Sequence, residues 1–333
     1  MIPRIGFLGT GWIGRHRMAA MLATGAVEAA AVCDPSPECA AEALKLAPDA
    51  RQAGSLGEML VLGLDGVVIA TPSALHAEQA VAALDAGAAV FCQKPLGRTA
   101  AEAQRVVEAA RAADRLLGVD LSYRHTAAMQ AIAPLVQRGE LGRLFAIDLT
   151  FHNAYGPDKP WFYDRALSGG GCVIDLGVHL VDLALWTLGF PPVIAVEADL
   201  RKGGAPAGAD EVEDFAVASF LAGEVSVRLA CSWRLHAGRD AVIEAAFYGT
   251  EGGAALRNVG GSFYDFVADR FAGTSAERLA DPPDDWGARS AAAWAIQLAA
   301  SPRFDPAAER FIASAEVLDR IYTAGLIEEA RAA

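Results

Sequence analysis

The sharpest group of reactive side chains lies between Gly169 and Asp182. Three glycines open the segment, and Asp175, His179 and Asp182 follow at spacings of i, i+4 and i+7 in an otherwise apolar run. That spacing puts the three on one face of a helix, and a helix apolar almost all round is a buried one. Ionisable groups in such a place must be paired or functional. In one reading Asp182 and His179 form a satisfied internal pair. In the other, His179 is an acid/base group flanked by carboxylates, titrating near neutrality as proton transfer requires.

A second group, Gly9-Thr10-Gly11-Trp12-Ile13-Gly14, matches GxGxxG after a β-type run and before a helical one, with Asp34 at the end of the next β-type run. Gly9 permits the tight turn, Gly11 lets backbone approach a pyrophosphate, and Gly14 allows close helix–strand packing. The helix N-terminus offers unsatisfied N–H groups to the anion. Asp34 suits a ribose 2′-hydroxyl and would repel a 2′-phosphate, and Pro35-Ser36 bring no arginine to relieve the repulsion. The expected cofactor is therefore NAD, with NADP disfavoured, held by Gly9 to Gly14 and Asp34.

Two further strand ends carry unusual residues, and such ends are where an open α/β sheet binds its ligand. The first is Ala70-Thr71-Pro72-Ser73-Ala74-Leu75-His76, which also reads as a helix start capped by Ser73. The second is Gln93-Lys94-Pro95, where the lysine is either solvated or aimed into the crevice. A nicotinamide held by the first half, with Lys94, Asp175 and His179 converging on a substrate, describes hydride transfer at a carbinol carbon. His179 would take the hydroxyl proton, Lys94 would stabilise the developing negative charge, and Asp175 would orient the substrate. Trp161, Phe162 and Tyr163 could stack on a sugar ring, with His152, Asn153, Tyr155, Arg165 and Arg124 near its hydroxyls; the alternative for the aromatics is plain packing.

The elements that must position these groups follow from the patterning. Up to about residue 120, β-type runs at Ile5–Leu8, Val27–Val32, Gly66–Ala70, Ala88–Cys92 and Leu116–Asp120 alternate with helical stretches near 12–24, 36–47, 74–86 and 99–113, which predicts a doubly wound parallel sheet. After a helix at 126–138, strands at Leu144–His152, Val193–Arg201, Val212–Leu221, Val225–Arg234 and Ala241–Gly249 follow one another around a helix at about 170–188. That order predicts a mostly antiparallel sheet. Lys202–Asp210 and Ala272–Arg289 read as loops, and Ala307–Ala332 as a closing amphipathic helix. The expected fold is α/β: a Rossmann dinucleotide-binding domain at 1–122 and an α+β domain with a large, mostly antiparallel open sheet at 123–333.

Composition narrows the function. Hydrophobic residues are 53% of the 333, and 28 basic against 41 acidic side chains leave a net charge of −13. Phosphate-backbone binding has no electrostatic footprint there, so nucleic acid and anionic membranes are not expected partners. The longest apolar stretch, Val173 to Phe190, contains Asp175, His179 and Asp182 and so does not read as a membrane span. The early glycines leave no signal-peptide core. The five cysteines are scattered without a CxxC, which points to reduced thiols in a cytoplasm. No third or fourth ligand accompanies Asp175 and His179, so no metal is expected.

Taken in order, these motifs resemble the glucose-fructose oxidoreductase, inositol dehydrogenase and rhizopine-catabolism (Gfo/Idh/MocA) family, over most of the chain. In that family the glycine fingerprint is followed by an acidic ribose ligand, a Thr-Pro-x-x-x-His strand end, a Glu-Lys-Pro tripeptide and a Gly-Gly-Gly-x-x-x-Asp-x-Gly-x-His-x-x-Asp helix. Here they are Gly9 to Gly14, Asp34, Thr71 to His76, Gln93-Lys94-Pro95 and Gly169 to Asp182. The resemblance implies Lys94, Asp175 and His179 as the catalytic, substrate-side residues; Arg124 and Trp161 join them as candidate substrate contacts from the reading of the residues alone. It places Thr71, Pro72, His76, Gln93 and Lys94 beside the cofactor and makes Lys94–Pro95 a cis peptide. It also implies a sugar, inositol or other polyol as substrate, and a homodimer or homotetramer built on the open sheet. Gln93 departs from the family's glutamate, which changes the charge beside Lys94. Two other readings compete with a dehydrogenase: a glycoside-processing enzyme with tightly held NAD, and a non-catalytic NAD-sensing regulator.

Overall fold

A computed structural model describes residues 1–332, with side chains through residue 325. The chain forms two compact units. The first comprises Met1–Ser122 and Ala288–Ile312; the second comprises Tyr123–Gly287 and the chain from Ala313 onward. The second domain, expected as one run from 123 to 333, thus gives up 288–312 to the first unit.

In the first unit six parallel strands, β1 (Arg4–Leu8), β2 (Glu28–Cys33), β3 (Arg51–Gln52), β4 (Gly66–Ile69), β5 (Ala89–Cys92) and β6 (Leu117–Val119), lie in the order β3-β2-β1-β4-β5-β6. This is the doubly wound order of a Rossmann domain. All four residues of β4 and of β5 are buried, as in a parallel sheet covered on both faces. Helices α1 (Trp12–Ala23), α2 (Pro37–Leu46), α3 (Leu56–Leu60), α4 (Ser73–Asp85) and α5 (Ala100–Ala113) connect the strands. The side chains of Ser36, Ser55 and Thr99 cap α2, α3 and α5, as these residue types do at helix starts. The two-residue β3 and the five-residue α3 had no pattern long enough to read in the sequence.

A later helix, α9 (Arg289–Ala300), returns to this unit and buries Ala291, Trp294, Ala295 and Leu298, one stripe at i, i+3, i+4 and i+7. Trp294 packs 5.7 Å from Phe91. A Cβ on Gly66 or Gly118 would come within 2.9 or 2.6 Å of the Trp294 ring, so glycines in β4 and β6 make the bed in which the indole lies.

The second unit is built on a nine-stranded sheet of order β15-β14-β13-β12-β7-β11-β10-β8-β9. Its strands are β7 (Leu144–Asn153), β8 (Val193–Lys202), β9 (Ala205–Pro206), β10 (Phe215–Ala222), β11 (Val225–Ser232), β12 (Ala241–Gly249), β13 (Gly253–Asn258), β14 (Phe266–Ala272) and β15 (Ser275–Ala280). Every pairing is antiparallel except that of β7 with β11. Burial alternates along β10 and β11, so one face of the sheet carries the core. That core joins the sheet to α6 (Ala127–Gln137), to the buried helix described below and to the start of α10 (Arg310–Ala332).

Several expectations change here. The segments 202–210 and 272–289, read as loops, contain β9 and β15, and β13 and β14 extend the sheet beyond the last strand expected. Val212–Leu221 becomes a strand only from Phe215; the Glu213 carbonyl before it accepts from the Cys172 N–H of the buried helical segment and not from a neighbouring strand.

The apolar segment Arg165–Thr187 has the length and composition of a membrane-crossing helix, but 78% of its most apolar window is buried inside the protein. It is a core element. After α7 (Arg165–Ser168) and the glycine turn, it contains a π-helical turn, Val173–Gly177, that runs into α8 (Val178–Thr187).

Candidate functional site

In the first unit the glycine loop shows three separate constraints. Gly9 takes φ +82°, and a Cβ there would lie 2.6 Å from the Ala70 backbone. A Cβ on Gly14 would lie 2.1 Å from the Gly9 carbonyl oxygen, whereas one on Gly11 would meet nothing within 4 Å. Gly9 and Gly14 are therefore needed by the fold itself, and Gly11 opens onto free space at the start of α1. No side chain caps that helix, so its first N–H groups and the space over Gly11 together fit a dinucleotide pyrophosphate.

Asp34, just past β2, is half-buried. One carboxylate oxygen accepts from the Thr10 N–H at 2.5 Å and from its hydroxyl at 3.3 Å, and the other accepts from the Ser36 N–H at 2.8 Å. Each oxygen keeps acceptor capacity for a ribose hydroxyl. Thr10, expected at the cofactor, is fully buried and donates to Asp34, the expected ribose ligand. Trp12 and Ile13 are exposed on the first turn of α1, and Trp12 stacks on His16 at 5.6 Å.

At the end of β4, Thr71 donates its hydroxyl to Gln79. Pro72 takes the cap position of α4, and Ser73 lies inside the helix, so the serine-cap alternative does not hold. His76 is 1% exposed, with Nδ1 2.7 Å from the Pro95 carbonyl oxygen and Nε2 2.7 Å from that of Thr71. Both ring nitrogens are thus turned to backbone, and His76, expected beside the cofactor, ties the β4 and β5 ends together. Burial pushes its pKa down against the pull of the two carbonyls. Lys94–Pro95 is cis, Lys94 is half-buried, and the Gln93 amide donates to Asp120.

In the second unit the three glycines are explained by what packs on them. Gly169 ends α7 at φ +89°, the left-handed position glycine favours. A Cβ on Gly170 would lie 1.9 Å from the Tyr322 hydroxyl, and one on Gly171 would lie 1.8 Å from the Glu213 carbonyl oxygen. Glu213 is 1% exposed. Its carboxylate accepts from the Gly171 N–H at 2.9 Å, the Val173 N–H at 2.9 Å and the Tyr322 hydroxyl at 2.9 Å. Burial raises its pKa despite these donors. Glu213 and Tyr322 thereby fix the start of the helix that carries Asp175 and His179.

Asp175 accepts from the indole N–H of Trp233 at 3.1 Å. Trp233 is 3% exposed and meets Phe162 and Tyr163 edge-on at 6.3 and 5.7 Å. Trp161, half-buried, stacks on Phe162 at 3.8 Å, so the aromatic triplet is a packed wall behind Asp175. His179 is 8% exposed, with its ring 4.7 Å from Tyr123 and 6.3 Å from Phe151.

The internal pair weighed for Asp182 forms with another residue. Asp182 takes a two-point hydrogen bond from Arg124, through Nε at 2.7 Å and Nη2. The Arg124 guanidinium lies over Trp186 and Phe190 at 5.8 and 5.5 Å. Arg124, expected near substrate hydroxyls, neutralises this buried acid. His152 bonds to the Ser232 hydroxyl at 2.8 Å and stacks on Phe215, with its pKa lowered by burial. Arg165 donates to the Glu211 carbonyl and lies over the Tyr322 ring.

Glu213, Tyr322, Trp233 and Asp120 escaped the sequence reading. Glu213 fell inside the expected strand Val212–Leu221 with no motif to mark it, and the other three likewise stand in no motif. Among the described residues, no three His, Cys, Asp or Glu side chains are grouped to hold a metal ion.

Comparison with known proteins identifies the family of both halves. Residues 3–121 match a family described as an oxidoreductase family with an NAD-binding Rossmann fold, and residues 129–255 match the GFO/IDH/MocA C-terminal domain. Levoglucosan dehydrogenase of Pseudarthrobacter phenanthrenivorans is 30% identical over 208 residues, 56% of this chain and 53% of that protein. Inositol 2-dehydrogenase of Acidiphilium cryptum is 35% identical over 192 residues, 56% of this chain and 55% of that protein. The chain thus matches about half the length of these relatives. The solved levoglucosan dehydrogenase complex with NADH and levoglucosan shares the fold, with a TM-score of 0.83 and 22% identity over 98% of both chains. With both halves matched in order, and with the glycine loop and the Gly169–Asp182 helix in place, the chain belongs to the Gfo/Idh/MocA family of oxidoreductases.

Proposed function

We propose that this protein is an NAD-dependent oxidoreductase that moves a hydride between nicotinamide and a carbinol carbon of a sugar, inositol or related polyol. The observation that carries the reading is the pairing of Asp175 with Trp233 on the buried helix that also holds His179. A merely structural helix has no need to bury a histidine and to set a half-buried acid one turn away against an aromatic wall.

Bound NAD would supply the hydride acceptor. His179, neutral, takes the hydroxyl proton as the carbinol carbon becomes a carbonyl. The family resemblance assigns to Lys94, on the first unit, the stabilisation of the charge that develops on the oxygen. Asp175, held by Trp233, accepts from a neighbouring hydroxyl and sets the register of the polyol. Asp34 supports NAD over NADP, because its two oxygens suit the ribose diol and repel a 2′-phosphate.

The test is NADH formation at 340 nm by purified protein on a panel of inositols, aldoses, anhydrosugars and uronates, repeated with NADP. Turnover with NAD on one class, lost in His179→Ala, is the expected result. No signal on any member, or full turnover by His179→Ala, overturns the reading.

A further inference from the structure

Asp120 has no part in the chemistry above, yet it is among the most completely buried acids of the first unit, at 1% exposure. It follows β6 directly, and its N–H donates to the Cys92 carbonyl at 2.9 Å. With Cys92 opposite Val119 in the β5–β6 register, Gln93 and Asp120 leave the sheet side by side. Three elements then meet on one carboxylate. Arg17 of α1, itself 7% exposed, donates through Nε at 2.7 Å; the Gln93 amide donates to the same oxygen; and the Ser290 hydroxyl of α9 donates to the other.

One guanidinium and one carboxylate balance in charge, and the amide and hydroxyl supply further donors. Gln93 is the partner such an acid requires. A glutamate at 93 has no donor to give and would set a second carboxylate at hydrogen-bond distance from the first, with a single arginine between them. The residue chosen at 93 therefore follows from the acid at 120, although 27 positions separate them.

We propose that Asp120 is a positioning residue. Through Gln93 it fixes the turn that carries Lys94, and positions 93 and 120 work as one amide–acid pair in which either site can hold the acid. This inference rests on the reading above in which Lys94 stabilises the oxygen that gains charge. Because that contact strengthens as charge develops, loosening Lys94 lowers kcat more than it raises KM.

The experiment compares Gln93→Glu, Asp120→Asn and the double variant Gln93→Glu/Asp120→Asn with the wild type. It measures kcat and KM with NAD and the best polyol, and the thermal midpoint of the cofactor-free protein. Each single variant should lose at least tenfold in kcat with KM for the polyol changed less than about threefold, and its midpoint should fall. The double variant, again one acid and one amide, should regain most of both losses. Single variants with wild-type kcat, in a wild type that turns over, overturn the positioning role and leave the oxidoreductase reading standing. Failure of the double variant to recover either quantity overturns the pairing. Should the wild type turn over nothing, the oxidoreductase reading falls, and the midpoints of the four proteins still decide whether 93 and 120 are coupled.

Discussion

Replacing Gly171 by alanine places a methyl group where the second unit has no room for one. The added Cβ would lie 1.8 Å from the Glu213 carbonyl oxygen and 2.9 Å from its Cδ, so the two segments must separate by more than an ångström. Forcing an extra methyl into a closed interior costs about 1–3 kcal/mol. The separation also breaks or stretches the bonds from the Gly171 and Val173 N–H groups to the buried carboxylate, and a lost hydrogen bond to a charged group costs about 1.5–3 kcal/mol. Together the loss is roughly 3–6 kcal/mol. For a unit of this size that lowers the thermal midpoint by about 10 °C. Gly177→Ala is the control, since its Cβ would meet nothing closer than 3.5 Å and its backbone is right-handed helical; it should unfold within about 2 °C of the wild type. Thermal unfolding followed by circular dichroism or calorimetry reads both. A Gly171→Ala protein that unfolds together with the control refutes the account of the glycine turn as a fitted bed for Glu213.

Three further outcomes are expected. Trp233→Phe keeps the ring and removes the N–H that holds Asp175, so kcat/KM for the preferred polyol should fall about tenfold with the thermal midpoint nearly unchanged; equal activity would detach Trp233 from the site. Trp294→Ala empties the bed formed by Gly66, Phe91 and Gly118 and should cost about 3–5 kcal/mol, read by denaturant unfolding of the first unit; a loss under 1 kcal/mol would refute the packing of 288–312 on that sheet. His76 has its folded-state pKa pushed down by burial, so the unfolded chain binds the proton first and stability falls as pH drops through about 6.5. His76→Asn should flatten that part of the midpoint-against-pH curve, and an unchanged slope would assign it elsewhere.

Much of this molecule was legible in the order of its residues because the interactions concerned are local. A turn that needs Gly9 at positive φ, a helix start at Thr99, and an alternation such as that of β10 and β11 are written within a few residues of where they act. Five of the six strands of the doubly wound half were therefore readable, and the Asp175–His179 segment announced itself as buried and ionisable. Elements of two to seven residues, β3, α3 and the hairpin of β14 with β15, left too short a pattern to register.

What lay beyond reach were partnerships across long separations. Asp182 calls for a countercharge, but nothing near it in the chain names Arg124, 58 positions away. Gly171 is only one of three glycines until Glu213 and Tyr322 are packed against it and its neighbours, and Glu213 is only one residue of an expected strand until it is found turned inward. The same holds for Trp294, whose helix lies in the stretch expected to belong to the other domain. Local hydrogen bonding and hydrophobic period specify an element from its own residues, whereas the partner of a buried charge depends on which elements the whole chain brings together, and no short stretch of sequence contains that information.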